Sequence, residues 1–337
     1  MILKKECVKK ICKKKFKNCE IEKIREIKEA GKMNPIFEIK ITNPNLNLIL
    51  KTYGKKWEHY KPDKEKFIFK LIKKETNLPV PEIYILDKSK KIIPYTYLLM
   101  SKMEGKMPKS INISKREKEN IYFQLGKDLA KLHEIKLKNF GWIYKDKISK
   151  HELNYEKPFD NWYDFFMHKF DEVKEEVRGG KNKKYGKLTK EKIEELFPII
   201  ERKIKISRKY LSKKIKPSFI HNDFSLENVL IKKDKIWKIT AILDVEVAMS
   251  GDSEFELAQF YMDILIKDKH LRESFLKGYL STKKLSKDFK EKLVIYKIYS
   301  YLSLISFEGF ELGNATTKEI NYFYKKILEL LKNDKTS

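Results

Sequence analysis

Two short polar segments, residues 221–228 and 243–246, are each bordered by apolar runs, and this alternation constrains the fold more than any other feature of the chain. The apolar runs have the length and composition of buried strands: Phe219-Ile220, Val229-Leu230-Ile231 and Ile239 to Leu243. The order strand, loop, strand, turn, strand can bring Asp223, Asn228 and Asp244 to one edge. The sequence therefore predicts a cluster of polar oxygen atoms at that edge.

The chemistry of these three side chains suits phosphoryl transfer. That reaction needs a neutralised phosphate chain, an acceptor hydroxyl aimed in line and a group that takes the proton of that hydroxyl. Asp223 is the candidate base, because a carboxylate can orient the acceptor and accept its proton. Asn228 and Asp244 supply the hard oxygen ligands that Mg²⁺ prefers while it bridges substrate phosphates. We therefore expect Mg²⁺ and a nucleotide at this edge.

The chain is strongly basic, with 75 Lys and Arg against 48 Asp and Glu and a formal net charge of +27. Such a charge can attract nucleic acid, anionic lipid or nucleotide phosphates. The basic residues are spread along the whole sequence, whereas a nucleic-acid module concentrates them on one helix or arm with stacking aromatics. We expect a lysine-rich, solvated surface and no nucleic-acid partner.

The sequence also bears on the compartment of the protein. The longest apolar stretches, such as Tyr97 to Met100 and Tyr301 to Phe307, fall far short of the roughly 20 residues that span a bilayer. The cysteines Cys7, Cys12 and Cys19 match neither a CxxC pair nor a zinc ligand set. We expect a soluble, cytoplasmic protein with reduced thiols and no membrane span.

Hydrophobic periodicity divides the chain into a strand-rich first part and a helical second part. Strands are predicted at Ile21 to Ile27, Ile36 to Ile41, Asn47 to Tyr53, Ile83 to Asp87 and Tyr95 to Met100. One helix is predicted over residues 63–74, and the N-terminal segment is predicted to form a basic amphipathic helix that packs onto this part. Later helices are predicted from Glu117 onward, from Asp160 to Val177, Glu254 to Ile266, Asp288 to Phe307 and Thr317 to Leu331. An exposed basic loop is expected at residues 179–184.

The signature segments resemble those of the aminoglycoside phosphotransferase family. The catalytic loop of that family reads H-x-D-x-x-x-x-N, which His221, Asp223 and Asn228 match. Its metal-binding segment is similar to Leu243 to Asp252, and the run Gly251 to Glu256 is locally similar to hygromycin phosphotransferases. The Asp that the family often has near the end of this region is replaced by Glu256, which leaves the role of that residue open.

The resemblance implies a two-lobed, protein-kinase-like α+β fold. A small antiparallel β N-terminal lobe with one main helix, residues 1–100, would be joined by a hinge at residues 101–106 to a larger, mainly helical C-terminal lobe at residues 107–337. Lys51 would contact the nucleotide phosphates and Glu65 would pair with that lysine. A Lys–Glu ion pair fixes the ammonium group while leaving donors for phosphate.

The same resemblance places the nucleotide between the lobes. Main-chain groups near Ser101 and Met103 would bind the base of ATP or GTP. The turn between the first two strands has one glycine and lacks the G-x-G-x-x-G pattern, so Lys32 and Asn34 are expected to replace part of its main-chain donation to the phosphates.

Four further polar residues have less specific patterns. His221 is expected to be a structural loop residue that hydrogen-bonds the backbone, and Asp252 a loop or helix-capping carboxylate. His133, at the end of a predicted helix, is expected to pack or cap. Glu246 is either a group that supports the metal ligands or a solvated carboxylate, and the sequence favours neither.

The acceptor is expected against the helix that begins near Asp160 and Asp164 and the C-terminal helices that carry Glu308 and Glu311. The alternative is an ordinary amphipathic helix whose aromatic residues, Trp162 and Tyr163, face the core. We expect transfer of the γ-phosphoryl group to a hydroxyl of an aminoglycoside-type antibiotic, which would confer antibiotic resistance, or of a related polyhydroxylated compound. A metabolic kinase for a sugar or amino alcohol is the second hypothesis and a protein kinase is the third. The rival from a different class is a non-catalytic basic binding protein.

Overall fold

A computed structural model describes residues 3–27, 35–54, 60–144, 147–149, 157–182, 184–212, 214–262 and 264–332. The first part of the chain forms an antiparallel sheet in the order β1-β2-β3-β5-β4. Its strands are β1 (Glu20–Glu26), β2 (Ile36–Thr42), β3 (Leu46–Tyr53), β4 (Ile83–Asp87) and β5 (Thr96–Ser101). Two helices accompany this sheet, α1 (Lys5–Lys13) and α2 (Lys61–Glu75).

Alternating side chains explain how this sheet is held. Ile39 and Ile41 of β2 and Leu48 and Leu50 of β3 are buried on one face, where they form a core with Val8, Ile11 and Cys12 of α1. The predicted strands, the helix at residues 63–74 and the amphipathic N-terminal helix are therefore confirmed, and α1 packs against its own sheet.

The rest of the chain is mainly helical. Its helices are α3 (Lys115–Leu132), α4 (Trp162–Gly179), α5 (Lys190–Glu194), α6 (Phe197–Ile206), α7 (Arg208–Leu211), α8 (Ser253–Phe260), α9 (Lys269–Leu280), α10 (Phe289–Leu304) and α11 (Thr317–Lys332), with a π-helical segment at Ile305–Glu311. Where the structure describes the chain, none of these helices is both long enough and apolar enough to cross a membrane. The lobe boundaries at residues 100 and 107 stay a prediction.

Short strands between the helices position the signature loop. A four-stranded sheet runs in the order β10-β13-β6-β7. Its strands are β6 (Gly141–Tyr144), β7 (Lys147–Ser149), β10 (Ser218–Ile220) and β13 (Met249–Gly251), and the remaining pairs are β8 (Lys184–Tyr185) with β9 (Leu188–Thr189) and β11 (Val229–Lys233) with β12 (Trp237–Ile242). Ile220 pairs with Met249, which pairs with Trp142. The polar loop therefore leaves the sheet at the end where Trp142 lies.

Three sequence predictions for this part need correction. The helix predicted to reach Ile266 ends at Phe260, because a new helix, α9, begins where the Asp268 carboxylate accepts hydrogen bonds from the amides of His270 and Leu271. The exposed loop predicted at residues 179–184 is only partly exposed, because Gly180 lies against Phe310. The last predicted turn of the 288–307 helix is π-helical and continues to Glu311.

Helices α3 and α9 approach each other at two glycines. A Cβ atom on Gly126 would lie 1.9 Å from the carbonyl oxygen of Phe275, and one on Gly278 would lie 2.0 Å from that of Phe123. Real Cβ atoms do not approach backbone atoms this closely, so both helices need a residue without a side chain at the crossing. This contact positions α3, and His133 follows the last residue of that helix.

We expect Gly126→Ala to lower the free energy of unfolding by about 1–3 kcal/mol, because the added methyl group must push α3 away from α9. Gly179→Ala is the matched control, since nothing lies within 4 Å of its Cβ position, and alanine is a better helix former than glycine. Urea unfolding monitored by circular dichroism measures both variants. Equal stability of the wild type and Gly126→Ala would contradict the close crossing.

Candidate active site

The polar loop between β10 and β11 closes on itself. The side-chain amide of Asn228 donates to the main-chain oxygen of Asp223 at 2.7 Å and to its carboxylate at 2.9 Å. Asn222 has φ +66°, in the left-handed region, so the chain turns sharply between His221 and Asp223. The pair Asp223 and Asn228 is thus held at a fixed spacing on one short loop.

A buried carboxylate holds the start of this loop. Glu256 of α8 is 1% exposed and accepts hydrogen bonds from the backbone amides of His221 at 2.9 Å and Asn222 at 2.7 Å. Buried carboxylates and buried amides are each costly without partners, so these bonds define the position of the loop. The sequence left the role of Glu256 open, and no local pattern could have shown a contact that spans about 35 residues.

A histidine contacts Glu256, and a tyrosine in turn contacts that histidine. The Nε2 atom of the buried His133 lies 2.9 Å from the Glu256 carboxylate, and its Nδ1 atom lies 2.8 Å from the hydroxyl of Tyr279. Burial lowers the pKa of His133, which favours the neutral ring. A neutral ring that donates to Glu256 and accepts from Tyr279 satisfies all three groups. The packing role expected for His133 is confirmed.

The segment predicted to bind the metal, which begins at Leu243, is hydrogen-bonded to the same loop. The amide of Leu243 donates to the main-chain oxygen of Asn228 at 2.8 Å, and the Nε2 atom of His221 lies 3.1 Å from the main-chain oxygen of Leu243. His221 thus contacts the backbone as the sequence predicts, and its structural role stays a prediction. Asp244 follows with φ +57°, a conformation that L-residues seldom adopt. The predicted role of Asp252 is also confirmed, since its carboxylate caps α8.

The residues predicted to bind Mg²⁺ fit a hydrated ion. Because the nitrogen of the Asn228 amide donates to Asp223, its oxygen is left as a ligand, and Asp244 adds a carboxylate. Among the residues that the structure describes, no three His, Cys, Asp or Glu side chains converge into a metal site. Two protein ligands suffice for Mg²⁺, which usually takes its other ligands from water and substrate phosphates.

The environment of Asp223 suits a proton acceptor. Its side chain opens to the cleft, yet the surrounding protein raises its pKa, and the negative charges of Asp244 and Glu256 raise it further. The hydrogen bond from Asn228 opposes this shift. A carboxylate with a raised pKa is a stronger base, so the site strengthens the proton-accepting role expected from the sequence.

Lys51 and Glu65 form the predicted ion pair. The Lys51 ammonium lies 2.9 Å from the Glu65 carboxylate, and the hydroxyl of Tyr53 also donates to that carboxylate. Burial alone would lower the pKa of Lys51, but the carboxylates of Glu65, Glu246 and Asp244 together raise it. Lys51 is therefore a fixed cation close enough to Asp244 for the two charges to interact.

Glu246 is paired with two lysines. Its carboxylate lies 3.0 Å from the ammonium of Lys61 and 3.9 Å from that of Lys51. The hypothesis of a merely solvated carboxylate is therefore wrong, while a role in supporting the metal ligands stays a prediction. No sequence pattern predicted a role for Lys61, which stands at the beginning of α2.

Two backbone amides of the predicted hinge already donate hydrogen bonds within the protein. The amide of Ser101 donates to the main-chain oxygen of Glu82 at 2.9 Å, and the amide of Lys102 donates to that of Asn47 at 3.0 Å. Recognition of a nucleotide base is left to the remaining main-chain groups near Ser101 and Met103, as a prediction. Lys32 and Asn34, predicted to contact the phosphates, lie outside the described residues.

The predicted acceptor residues are not brought together with the loop. Phe159 pairs with Phe140, so Asp160 and the start of α4 lie at the end of the sheet away from the loop. Asp164 is exposed and accepts a hydrogen bond from the side chain of Asn161, which caps α4. Trp162 is buried in the core, as the amphipathic-helix alternative expected.

The far half of α4 carries a different group of carboxylates. Glu172 accepts a hydrogen bond from the indole of Trp142 at 3.2 Å, on the strand end near the loop. The hydroxyl of Ser306 donates to Glu176 at 2.8 Å. Burial raises the pKa of Glu176, and the negative charges of Glu172 and Glu311 raise it further. These three glutamates, which we call the acidic cluster, stand on α4 and on the π-helical segment that also carries Glu308, and Glu172 and Glu311 lie close enough to Glu176 for their charges to act on it.

The described geometry agrees with comparisons to known proteins. A family model described as fructosamine kinase matches residues 3–326. The chain belongs to the fructosamine kinase family. It is therefore a kinase-like small-molecule phosphotransferase. It shares its fold with an aminoglycoside phosphotransferase, so the resemblance to that second family is confirmed at the level of the fold, and a similarity specific to hygromycin phosphotransferases is not shown.

Solved structures show the same fold as this fructosamine kinase family member. A protein from Haemophilus somnus 129PT, provisionally named fructosamine-3-kinase, matches with a TM-score of 0.67, 16% identity and coverage of 96% of both chains. Aminoglycoside phosphotransferase APH(4)-Ia with ADP and hygromycin B matches with a TM-score of 0.63, 14% identity and coverage of 96% of this chain and 98% of that one. A microcompartment-associated aminopropanol kinase matches with a TM-score of 0.54, 14% identity and coverage of 93% and 90%. Identities this low show the fold alone.

One curated relative matches part of the chain. It is named probable acyl-CoA dehydrogenase IBR3 from Arabidopsis thaliana and is 22% identical over 220 residues, which are 63% of this chain. The chain spans about a quarter of that relative, 24% of its length. The activity in that name belongs to the whole Arabidopsis protein and is not carried over to this fructosamine kinase family member.

We expect Asp223→Asn to abolish phosphoryl transfer while stabilising the fold at neutral pH. The pKa of Asp223 is raised in the folded protein, so its ionisation destabilises the fold as pH rises from the ordinary value near 3.8 through the raised value. The gain in melting temperature should therefore be largest near neutral pH and shrink toward pH 4. We expect turnover to fall by about 10²–10⁴.

Calorimetric melting curves between pH 4 and pH 8, with turnover measured in parallel, check this expectation. Asp234→Asn, in the exposed turn between β11 and β12, is the matched control and should change neither quantity. An Asp223→Asn protein that melts below the wild type at neutral pH, or that retains full activity, would contradict the environment described for this carboxylate.

Proposed function

We propose that this protein transfers the γ-phosphoryl group of ATP or GTP to a hydroxyl of an amine-bearing, polyhydroxylated small molecule, with ketosamines as the first candidate class. The observation that carries the proposal is the closed pair of Asp223 and Asn228, held by Glu256 beside the Lys51–Glu65 ion pair. Membership of the fructosamine kinase family supports the choice of acceptor class.

Each residue of the cleft has a role in this reaction. Asp223 orients the acceptor hydroxyl and takes its proton as the oxygen attacks the γ-phosphorus. Lys51, fixed by Glu65, binds the phosphates through its remaining donors. Asn228 and Asp244 would hold Mg²⁺, which, when bound, neutralises charge on the phosphate oxygens. The main chain near Ser101 and Met103 binds the base.

The acidic cluster is the proposed site for the amine of the acceptor. Two of its carboxylates, Glu172 and Glu176, lie near the ammonium group of Lys169, which is 4.2 Å from the centroid of the Trp142 ring, and Glu172 also lies 3.3 Å from the ring of His168. An acceptor ammonium would relieve the repulsion that raises the pKa of Glu176. Glu308, on the same π-helical segment, stays in this proposal. Asp160 and Asp164 are not part of the proposed amine site, because they lie at the other end of α4.

We expect the double variant Glu172→Gln and Glu176→Gln to raise the KM for a ketosamine by about 10-fold or more, because each lost charge pair weakens binding by about 1.5–3 kcal/mol. The kcat should change little, since neither side chain contacts the reacting atoms. ADP release coupled to a spectroscopic assay measures both constants, with Asp160→Asn and Asp164→Asn combined as the matched control.

The choice of acceptors makes the experiment decisive. A ketosamine, its parent sugar without the amine, an amino alcohol and an aminoglycoside are compared with ATP and with GTP. The proposal expects the ketosamine to have the highest kcat/KM and the parent sugar to be insensitive to the double variant. Faster turnover of the aminoglycoside than of the ketosamine would show that the acceptor class is the aminoglycoside antibiotics instead. No ADP release with any acceptor, together with salt-sensitive binding of RNA, would favour a non-catalytic binding protein.

A further inference from the structure

The ammonium groups of Lys51 and Lys61 lie on either side of one carboxylate in the cleft. The Oε1 atom of Glu246 is 3.0 Å from the Lys61 ammonium, and its Oε2 atom is 3.9 Å from the Lys51 ammonium. Glu246 stands two residues after Asp244, the predicted metal ligand. A carboxylate at this place presents two anionic oxygens to two cations, as a phosphate group would.

Lys61 is held in this position by the fold. Its side chain is only 12% exposed, and it stands in the first turn of α2, the helix that also carries Glu65. Lys51 of β3 and Lys61 of α2 therefore both approach Glu246.

A nucleotide in this cleft needs several donors for its phosphates. Kinases with a glycine-rich turn direct main-chain amides at the nucleotide phosphates. The corresponding turn in this sequence contains a single glycine at Gly31, and the G-x-G-x-x-G pattern is missing. A triphosphate brings several negative charges, and Lys51 supplies one compensating positive charge. A second fixed lysine beside Lys51 answers this need.

We propose that Lys61 is a second phosphate-binding lysine and that Glu246 occupies its place until the nucleotide arrives. The inference rests on the proposed function, because it assigns a partner in the same nucleotide site. When the phosphates enter, their oxygens replace the Glu246 carboxylate at Lys61, and no covalent bond forms or breaks.

Nucleotide binding in magnesium-free buffer tests the inference without turnover. Isothermal titration with ADP and with adenosine is carried out on the wild type and on Lys61→Met, which keeps the length of the side chain and removes its charge. We expect the Kd for ADP to rise by about 10-fold, the effect of one charge-assisted hydrogen bond, while the Kd for adenosine stays unchanged. Lys66→Met, an exposed lysine of the same helix, should change neither value.

Two further variants keep the test decisive if Lys61→Met folds poorly. Lys61→Arg retains the charge and should bind ADP within about threefold of the wild type. Glu246→Gln removes the competing anion, so its Kd for ADP in the same metal-free buffer should fall below that of the wild type. A Glu246→Gln protein that binds ADP more weakly would overturn the exchange of partners.

The remaining outcomes separate this inference from the proposed function. Equal loss of ADP and adenosine binding in Lys61→Met would show that Lys61 only supports the shape of the cleft and would overturn the inference. Unchanged ADP binding in that variant would overturn it as well, while leaving the phosphotransferase proposal intact. A wild-type protein that binds neither ligand would overturn both.

Discussion

The hydrogen bonds from the backbone amides of His221 and Asn222 to the buried carboxylate of Glu256 are the constraint on which the active site depends. Glu256 is held by His133 at the end of α3, and α3 is held by its glycine contact with α9. The position of the Asp223 carboxylate thus follows from the packing of two helices through a chain of buried polar contacts. Since each group in this chain is buried, loss of one partner would leave another unsatisfied.

Charge on the two sides of the cleft is arranged for opposite tasks. On the side of β3 and α2, the carboxylates of Glu65, Glu246 and Asp244 raise the pKa of Lys51 and so favour its ammonium form. On the side of the loop, burial and neighbouring carboxylates raise the pKa of Asp223 and make it a better base. The same carboxylate, Asp244, contributes to both shifts. A metal and a phosphate chain entering between the two sides would meet cations on one and anionic ligands on the other.

Much of this site could be predicted from the sequence, because Asp223, Asn228 and Asp244 stand beside short apolar strands whose order fixes their neighbourhood. The pairing of Lys51 with Glu65 followed from the family resemblance. The role of Glu256 could not be predicted, because its partners are backbone amides far along the chain, and any sequence supplies amides. Periodicity shows that α4 has two faces but not which of its ends approaches the loop, so the sequence could not show that Asp160 and Asp164 stand at the end away from the loop. The sequence analysis predicts no helix at α9, whose helical pattern is weakened by Gly278. The structure explains this glycine, because only a residue without a side chain fits where α9 contacts α3.

Amide hydrogen exchange at His221 and Asn222 tests most directly whether Glu256 positions the loop. The wild type is compared with Glu256→Gln, whose side chain can accept from these amides through one oxygen only, and with Glu273→Gln, an exposed control on α9. We expect exchange of at least one of the two amides to accelerate by about tenfold or more in Glu256→Gln, with a parallel fall in kcat, and no change in the control. Unchanged protection of both amides together with an unchanged kcat would contradict the central role of this carboxylate.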